Sequence, residues 1–331
     1  MEARKVQRYK RVLSGALICL LILALLVGIE TYLLSVRPPI HSGPAAVAAE
    51  PAAKPWQPPA ATTLPNGEAG ITVLYGQALI RETATFFGPN GSIRPLTNGM
   101  NCQNCHLQAG TKPFGNNYST TARSYPKFRA RSNSVETLNK RISDCFERSL
   151  NGTAPDSNSR EMGAIRAYIE WLGSGVTTDE KPTGSGIPKL ALLSRAASPE
   201  KGAKVYTQQC KTCHGDQGEG VKNPDSVTYV YPPLWGSSSY NDGAGLYRLS
   251  TFAGYVKYNM PFGVDYTSTR LTDEDAWDVA AFINSQPRPH KDQSADWKDI
   301  KQKPVDFPFG PYADEYSETQ HKYGPYISMQ H

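Results

Sequence analysis

Apolar and polar positions divide the chain into segments of different character. Arg4, Lys5, Arg8, Lys10 and Arg11 precede an apolar run from about Val12 to Ile29, which partly resumes after Glu30 through Tyr32, Leu33, Leu34 and Val36. A cleavable leader has an apolar core of roughly 7–15 residues, closely followed by a small-residue cleavage site. This run is longer, and the Ala46-Val47-Ala48 pattern lies well downstream of it. The pattern predicts a single uncleaved membrane helix within residues 1–36. Its basic flank stays on the cytoplasmic side and the rest of the chain lies outside. Residues 37–68 are rich in Pro and Ala with almost no apolar periodicity, which reads as a semi-extended tether.

Beyond the tether the pattern turns helical, and it does so twice on one plan. Leading helices are expected over Ile71–Phe87 and Pro199–Gln209. A closing helix is expected over Arg160–Leu172, where Met162, Ile165, Ile169 and Leu172 repeat at helical spacing. Asn158 and Glu161 make a capping-box pattern ahead of it. In the second copy Thr272 is the expected N-cap with Asp275 at N3, followed by Ala276, Trp277, Ala280 and Ile283. The breaker stretch from Gly173 to Pro188 separates two units, at 69–180 and 181–290. The tail, 291–331, has little periodicity. It carries Phe307, Phe309, Tyr312, Tyr316, Tyr323 and Tyr326, too many aromatics for a solvated terminus, and is expected to lie as an extended strap. The expected fold class is all-α: two small tandem domains preceded by a single transmembrane helix.

A net charge of +5, without a basic stripe interleaved with aromatics, argues against a nucleic-acid partner. The cysteines change the picture more. Cys102-Gln-Asn-Cys105-His106 and Cys210-Lys-Thr-Cys213-His214 are two copies of C-x-x-C-H and use four of the 6 cysteines. In that pentapeptide the thiols add to the haem vinyl groups and the histidine ligates the iron. Zinc would need further ligands at regular spacing, and His41, His290, His321 and His331 are scattered. A thioredoxin-like dithiol would need a βαβ pattern, which is absent. Two covalently bound haem c groups are therefore expected, with His106 and His214 as proximal ligands. Such attachment is completed beyond the bacterial cytoplasmic membrane, so both domains are expected in the periplasm.

The sixth ligand decides whether an iron carries electrons or reacts. In the second unit Met260, in Tyr258-Asn-Met-Pro-Phe-Gly263, resembles the distal Met of class I cytochromes c. The leading and closing helices also resemble the crossing helices of that class. Thioether ligation raises the potential. In the first unit Met100 lies too close to Cys102 to reach the distal face, and Met162 falls on the core stripe of its helix. Cys145 is left over, without a disulfide partner except Cys19 in the apolar run. Arg141, Arg148, Lys127, Arg129 and Arg131 near it in sequence favour the thiolate, so Cys145 is the expected ligand.

Gly99–Leu107, Arg141–Ser149 and the tail segments Lys303–Asp314 and Gln320–Pro325 resemble tetrathionate-forming thiosulfate dehydrogenases, which are dihaem cytochromes c. The resemblance implies that the haem of His106 and Cys145 is the active site. It implies that Arg131 and Arg141 bind anionic substrate with Ser149 nearby. Electrons would leave through the haem of His214 and Met260. The implied partners are thiosulfate, tetrathionate and an electron-acceptor protein, either a membrane-bound oxidase or another cytochrome c. In some members a Lys precedes the Met; here Asn259 stands there, so Lys/Met ligand exchange is not expected. Three alternatives remain: the same site run in reverse as a tetrathionate reductase, a membrane-anchored electron carrier without catalysis, and a sulfur carrier like the Cys-ligated Sox cytochromes.

Overall fold

Glycine sets how closely helices meet in both units. In this computed structural model the first unit contains α1 (Glu68–Arg81), α2 (Thr83–Phe87), α3 (Leu138–Asp144) and α4 (Arg160–Leu172). The second contains α5 (Pro199–Gln209), α6 (Leu249–Asn259) and α7 (Asp273–Ser285), and the tail adds α8 (Glu318–Tyr323). Helix α1 crosses α4, and α5 crosses α7. A Cβ on Gly76 of α1 would lie 2.0 Å from Ala164 O of α4; one on Gly202 of α5 would lie 1.9 Å from Asp278 O of α7. Only a residue without a side chain lets the backbones approach so closely.

The structure describes Leu25 and residues 54–329, apart from 178–180 and 225–227. The expected membrane helix, apart from Leu25, and the tether as far as residue 53 lie outside the described residues. Among the described residues no helix is long and apolar enough to cross a membrane. In residues 54–67, Trp56 packs against the first core and Trp171 Nε1 of the first unit donates to Thr63 Oγ1 at 3.2 Å, while Trp56 N donates to Thr183 O, just past the unit boundary, at 2.8 Å.

Both closing helices and the second leading helix occupy the expected ranges. One cap differs by a residue. Ser159, not Asn158, caps α4, accepting from Met162 N at 3.2 Å. Glu161 is turned away to accept from Tyr75 OH at 3.1 Å across the α1–α4 crossing, so no capping box closes there. Thr272 and Asp275 do form the box at α7. The first leading helix is broken at Glu82 into α1 and α2.

The regular structure among the described residues is mainly helical, with two additions to the all-α expectation. An antiparallel hairpin joins β1 (Lys127–Arg129) to β2 (Ser134–Glu136), and a second joins β3 (Val221–Lys222) to β4 (Tyr229–Tyr231). The tail touches both units. Asp296 pairs with Arg148 at 2.8 Å and Trp297 N donates to Arg131 O at 2.7 Å, both in the first unit. In the second, Arg248 Nε donates to Asp306 at 2.8 Å and Tyr326 packs on Trp277. Two apolar cores result, and the first haem motif divides between them: Cys102 packs on the first, Cys105 and Leu107 on the second. Tyr255 OH of α6 donates to Asn104 O at 2.8 Å, fixing the motif to the second unit.

Candidate functional site: two haem cavities

The chain entering the first motif is held by part-buried hydrogen bonds. Thr83 Oγ1, at the start of α2, accepts from Cys102 N at 3.0 Å, and Asn101 Oδ1 accepts from Ala84 N at 2.8 Å. His106 Nδ1 donates to Asn116 O at 2.6 Å, which leaves Nε2 as the free ring nitrogen. Tyr118 stacks on the imidazole, ring centres 4.4 Å apart. Burial pulls the His106 pKa down to about 4, so the ring is the neutral ligand form. Burial also pushes the Cys102 and Cys105 thiols up to about 12, an apolar setting suited to thioethers.

Cys145 is presented by a change of helical pitch. After α3 the backbone widens into a π-helical turn, Cys145–Ser149, in which Leu150 N donates to Cys145 O at 3.0 Å. Such turns carry one extra residue and occur frequently at functional sites. Arg141 lies four residues earlier and donates from Nη1 to Cys145 Sγ at 2.9 Å. The facing sulfur raises the Arg141 pKa further above its already high value, so the guanidinium is permanently charged. A cavity of ≈ 200 Å³ brings Cys102, His106, Arg141 and Cys145 together. Arg131 does not line it; its guanidinium pairs with Asp144, as does Lys140. Ser149, half-buried at the end of the π turn, does not line it either.

The second motif repeats the scheme. His214 Nδ1 donates to Pro232 O at 2.9 Å, and Tyr206 OH to Gly215 O at 2.7 Å. Burial lowers the His214 pKa. A cavity of ≈ 750 Å³ is lined by Cys210, Cys213, His214 and Met260, and also by Cys105 of the first motif. Met100 also borders this cavity, while Met162 is fully buried in the first core. Each cavity thus gathers cysteine thiols and an imidazole whose second nitrogen is already bonded, a donor set that fits haem c.

Sequence reasoning missed Asn116 and Tyr118 at the first site, and the structural role of Asn259 at the second. Asn116 and Tyr118 orient His106 from a loop without periodicity. Asn259, 2% exposed, donates to Phe114 O and to Tyr255 O, both at 3.0 Å, and so ties the residue before Met260 to the first unit. Lys127 and Arg129 were visible as basic neighbours of Cys145, but their placement in its cavity depends on a hairpin too short to detect.

Residues 94–177 match the family model "SoxA/TsdA, cytochrome c domain" and residues 199–287 match "Cytochrome c". The thiosulfate dehydrogenase of Stutzerimonas stutzeri (strain A1501) is 37% identical over 71% of this chain and 73% of its own length. That of Allochromatium vinosum is 37% identical over 75% of this chain and 89% of its own. The chain belongs to the thiosulfate dehydrogenase family. A solved thiosulfate dehydrogenase, TsdBA from Marichromatium purpuratum in its as-isolated form, superposes with a TM-score of 0.65 at 35% identity. The match covers 72% of this chain and 50% of that one. As a thiosulfate dehydrogenase with two cytochrome c domains the chain is an oxidoreductase, and those domains imply haem c. Membership favours an enzyme over a carrier without catalysis.

Proposed function

We propose that this chain oxidises two thiosulfate dianions to one tetrathionate at Cys145, using two covalently bound haem c groups. Cys102, Cys105 and His106 would hold the first, with Cys145 in the same cavity as a further ligand. Cys210, Cys213 and His214 would hold the second, with Met260 in the same cavity as a further ligand. The observation that carries this reading is the Arg141–Cys145 contact of 2.9 Å in the cavity that His106 lines. It joins a thiol, a fixed cation and a haem-type histidine at one place. The haems, when bound, supply two one-electron acceptors, and the second is the outlet to an acceptor protein.

The chain's own groups do the sulfur chemistry. Cys145 as thiolate forms an S–S bond to the terminal sulfur of the first thiosulfate, two electrons are released, and the product is a thiosulfonate, Cys–S–S–SO₃⁻. The second thiosulfate attacks the outer sulfane sulfur. Tetrathionate leaves and the Sγ–S electron pair returns to Cys145, as in thiol–disulfide exchange. Arg141 steadies the thiolate and then presents forked donors to sulfonate oxygens. Arg131, pinned by Asp144, contributes positive charge beside this site. Ser149 closes the π turn and supports the placement of Cys145. Run backwards, the same exchange reduces tetrathionate; the acceptor's potential sets the direction. We assign the N-terminal segment as a single membrane anchor, N-terminus in the cytoplasm, with both haem domains in the periplasm.

Cys145→Gly tests the central claim. Both haems should remain attached, the spectrum of the His214/Met260 haem should be unchanged, and the low-spin EPR signal of a His/thiolate haem should vanish. Tetrathionate formation with ferricyanide as acceptor should fall to background. Substantial turnover by this variant would remove Cys145 from the mechanism.

A further inference from the structure

Basic residues crowd around Cys145, yet most are committed elsewhere. Arg131 and Lys140 both pair with Asp144, Arg148 pairs with Asp296, and Arg141 donates to the Cys145 sulfur. The other cations that line the ≈ 200 Å³ cavity are Lys127 and Arg129. They stand two apart on β1, so both side chains leave the strand on one face, with Phe128 exposed between them. Among the described residues Lys127 belongs to no ion pair, and Arg129 is held only loosely. Glu136 Oε2 lies 3.9 Å from Arg129 Nε, and neither Glu136 oxygen accepts a hydrogen bond. Arg129 Nη1 reaches Tyr125 OH only at 3.5 Å, the outer limit of a hydrogen bond.

The exchange at Cys145 needs such a pair. The attacking thiosulfate is a dianion, and its target already bears a sulfonate beside Arg141. Like charges at this range repel strongly in a site of reduced dielectric. One guanidinium, already bonded to sulfur, cannot neutralise both.

We propose that Lys127 and Arg129 form the subsite for the second thiosulfate, holding its sulfonate while its terminal sulfur attacks the adduct. This rests on the reading that Cys145 carries the first sulfur. In the step an S–S bond forms between the incoming terminal sulfur and the sulfane sulfur of the adduct. The Sγ–S bond breaks and its electron pair stays on Cys145 as thiolate; no proton or further oxidant is required. The subsite selects for a sulfonate-bearing nucleophile, so a neutral thiol gains nothing from it.

The oxidised, haem-loaded full chain is mixed with less than one equivalent of thiosulfate, and the Cys145 adduct is followed by intact mass. It is then chased with excess thiosulfate or with 2-mercaptoethanol. The double variant Lys127→Ala, Arg129→Ala should form the adduct at the wild-type rate and release it normally to 2-mercaptoethanol. Its release by thiosulfate should slow roughly 10- to 100-fold, the range for losing a charged hydrogen bond. Arg129→Lys, which restores charge without the fork, should recover part of that loss. An adduct that forms normally and is chased by thiosulfate at the wild-type rate would remove the subsite alone. Equal slowing with both nucleophiles, or slowed adduct formation, would assign the pair to holding haem or fold and overturn the proposal. No adduct on the wild-type chain would remove the Cys145 reading and the subsite with it.

Discussion

Replacing Gly76 with alanine puts a single methyl group into the α1–α4 crossing. Its carbon would sit 2.0 Å from Ala164 O, 2.6 Å from Ala164 C and 2.9 Å from Tyr168 Cβ. The first two are backbone atoms and cannot rotate away, so the helices must part by on the order of 1 Å to reach van der Waals distance. Overpacking of this kind costs about 1–3 kcal/mol, and the rigid neighbours place Gly76→Ala at the top of that range. Against it stands the helix propensity of alanine over glycine, about 1 kcal/mol. The clash wins, and the net loss is about 2 kcal/mol. Gly163, on α4 itself, is the control: a Cβ there meets nothing within 4 Å. Gly163→Ala should therefore stabilise by up to about 1 kcal/mol through propensity and reduced unfolded-state freedom. Guanidinium unfolding of the haem-loaded protein, followed by far-UV circular dichroism, should move the midpoint down for the first variant and up for the second. A Gly76→Ala midpoint at or above wild type would refute the view that backbone contact sets this crossing.

Asp306 is 2% exposed and accepts from Arg248 Nε at 2.8 Å and Ser250 N at 3.2 Å. Arg248 remains 37% exposed, so solvent compensates part of its loss. Asp306→Ala should cost about 2 kcal/mol and make the tail cleave faster under limited proteolysis; an unchanged cleavage rate would mean that other contacts hold the tail. Replacing residues 1–36 with a cleavable export signal should move the haem protein from the membrane fraction to the soluble one. A full-length chain that is already soluble in fractionated cells would count against the anchor.

Strong periodicity and specific motifs were readable in the sequence. The α4 stripe, the Pro199 start of α5 and the Thr272/Asp275 box depend on local patterns, and the structure repeats them. The α4 cap was missed by one residue because residue type alone favoured Asn158 and Glu161, while Tyr75, distant in sequence, takes the Glu161 carboxylate. At the first site the meeting of His106, Arg141 and Cys145 was legible as a list of residues but not as geometry. The π turn that aims Cys145 adds one residue to a helix and leaves no trace in periodicity. Arg131 and Arg141 look alike in sequence; only the partner each finds, Asp144 or the Cys145 sulfur, separates them. The β1–β2 hairpin has three-residue strands, below what alternation can detect.

The first haem motif has one cysteine against each core, Cys102 against the first and Cys105 against the second. Five consecutive residues thus belong to two domains at once. The attachment site of the first haem therefore depends on both units. Exchanging the second for a homologous cytochrome would remove the core against which Cys105 of the first motif packs. Recombination within this lineage is expected to succeed at the chain ends and in the tether, and to fail at the boundary between the units, where a sequence map would place it first.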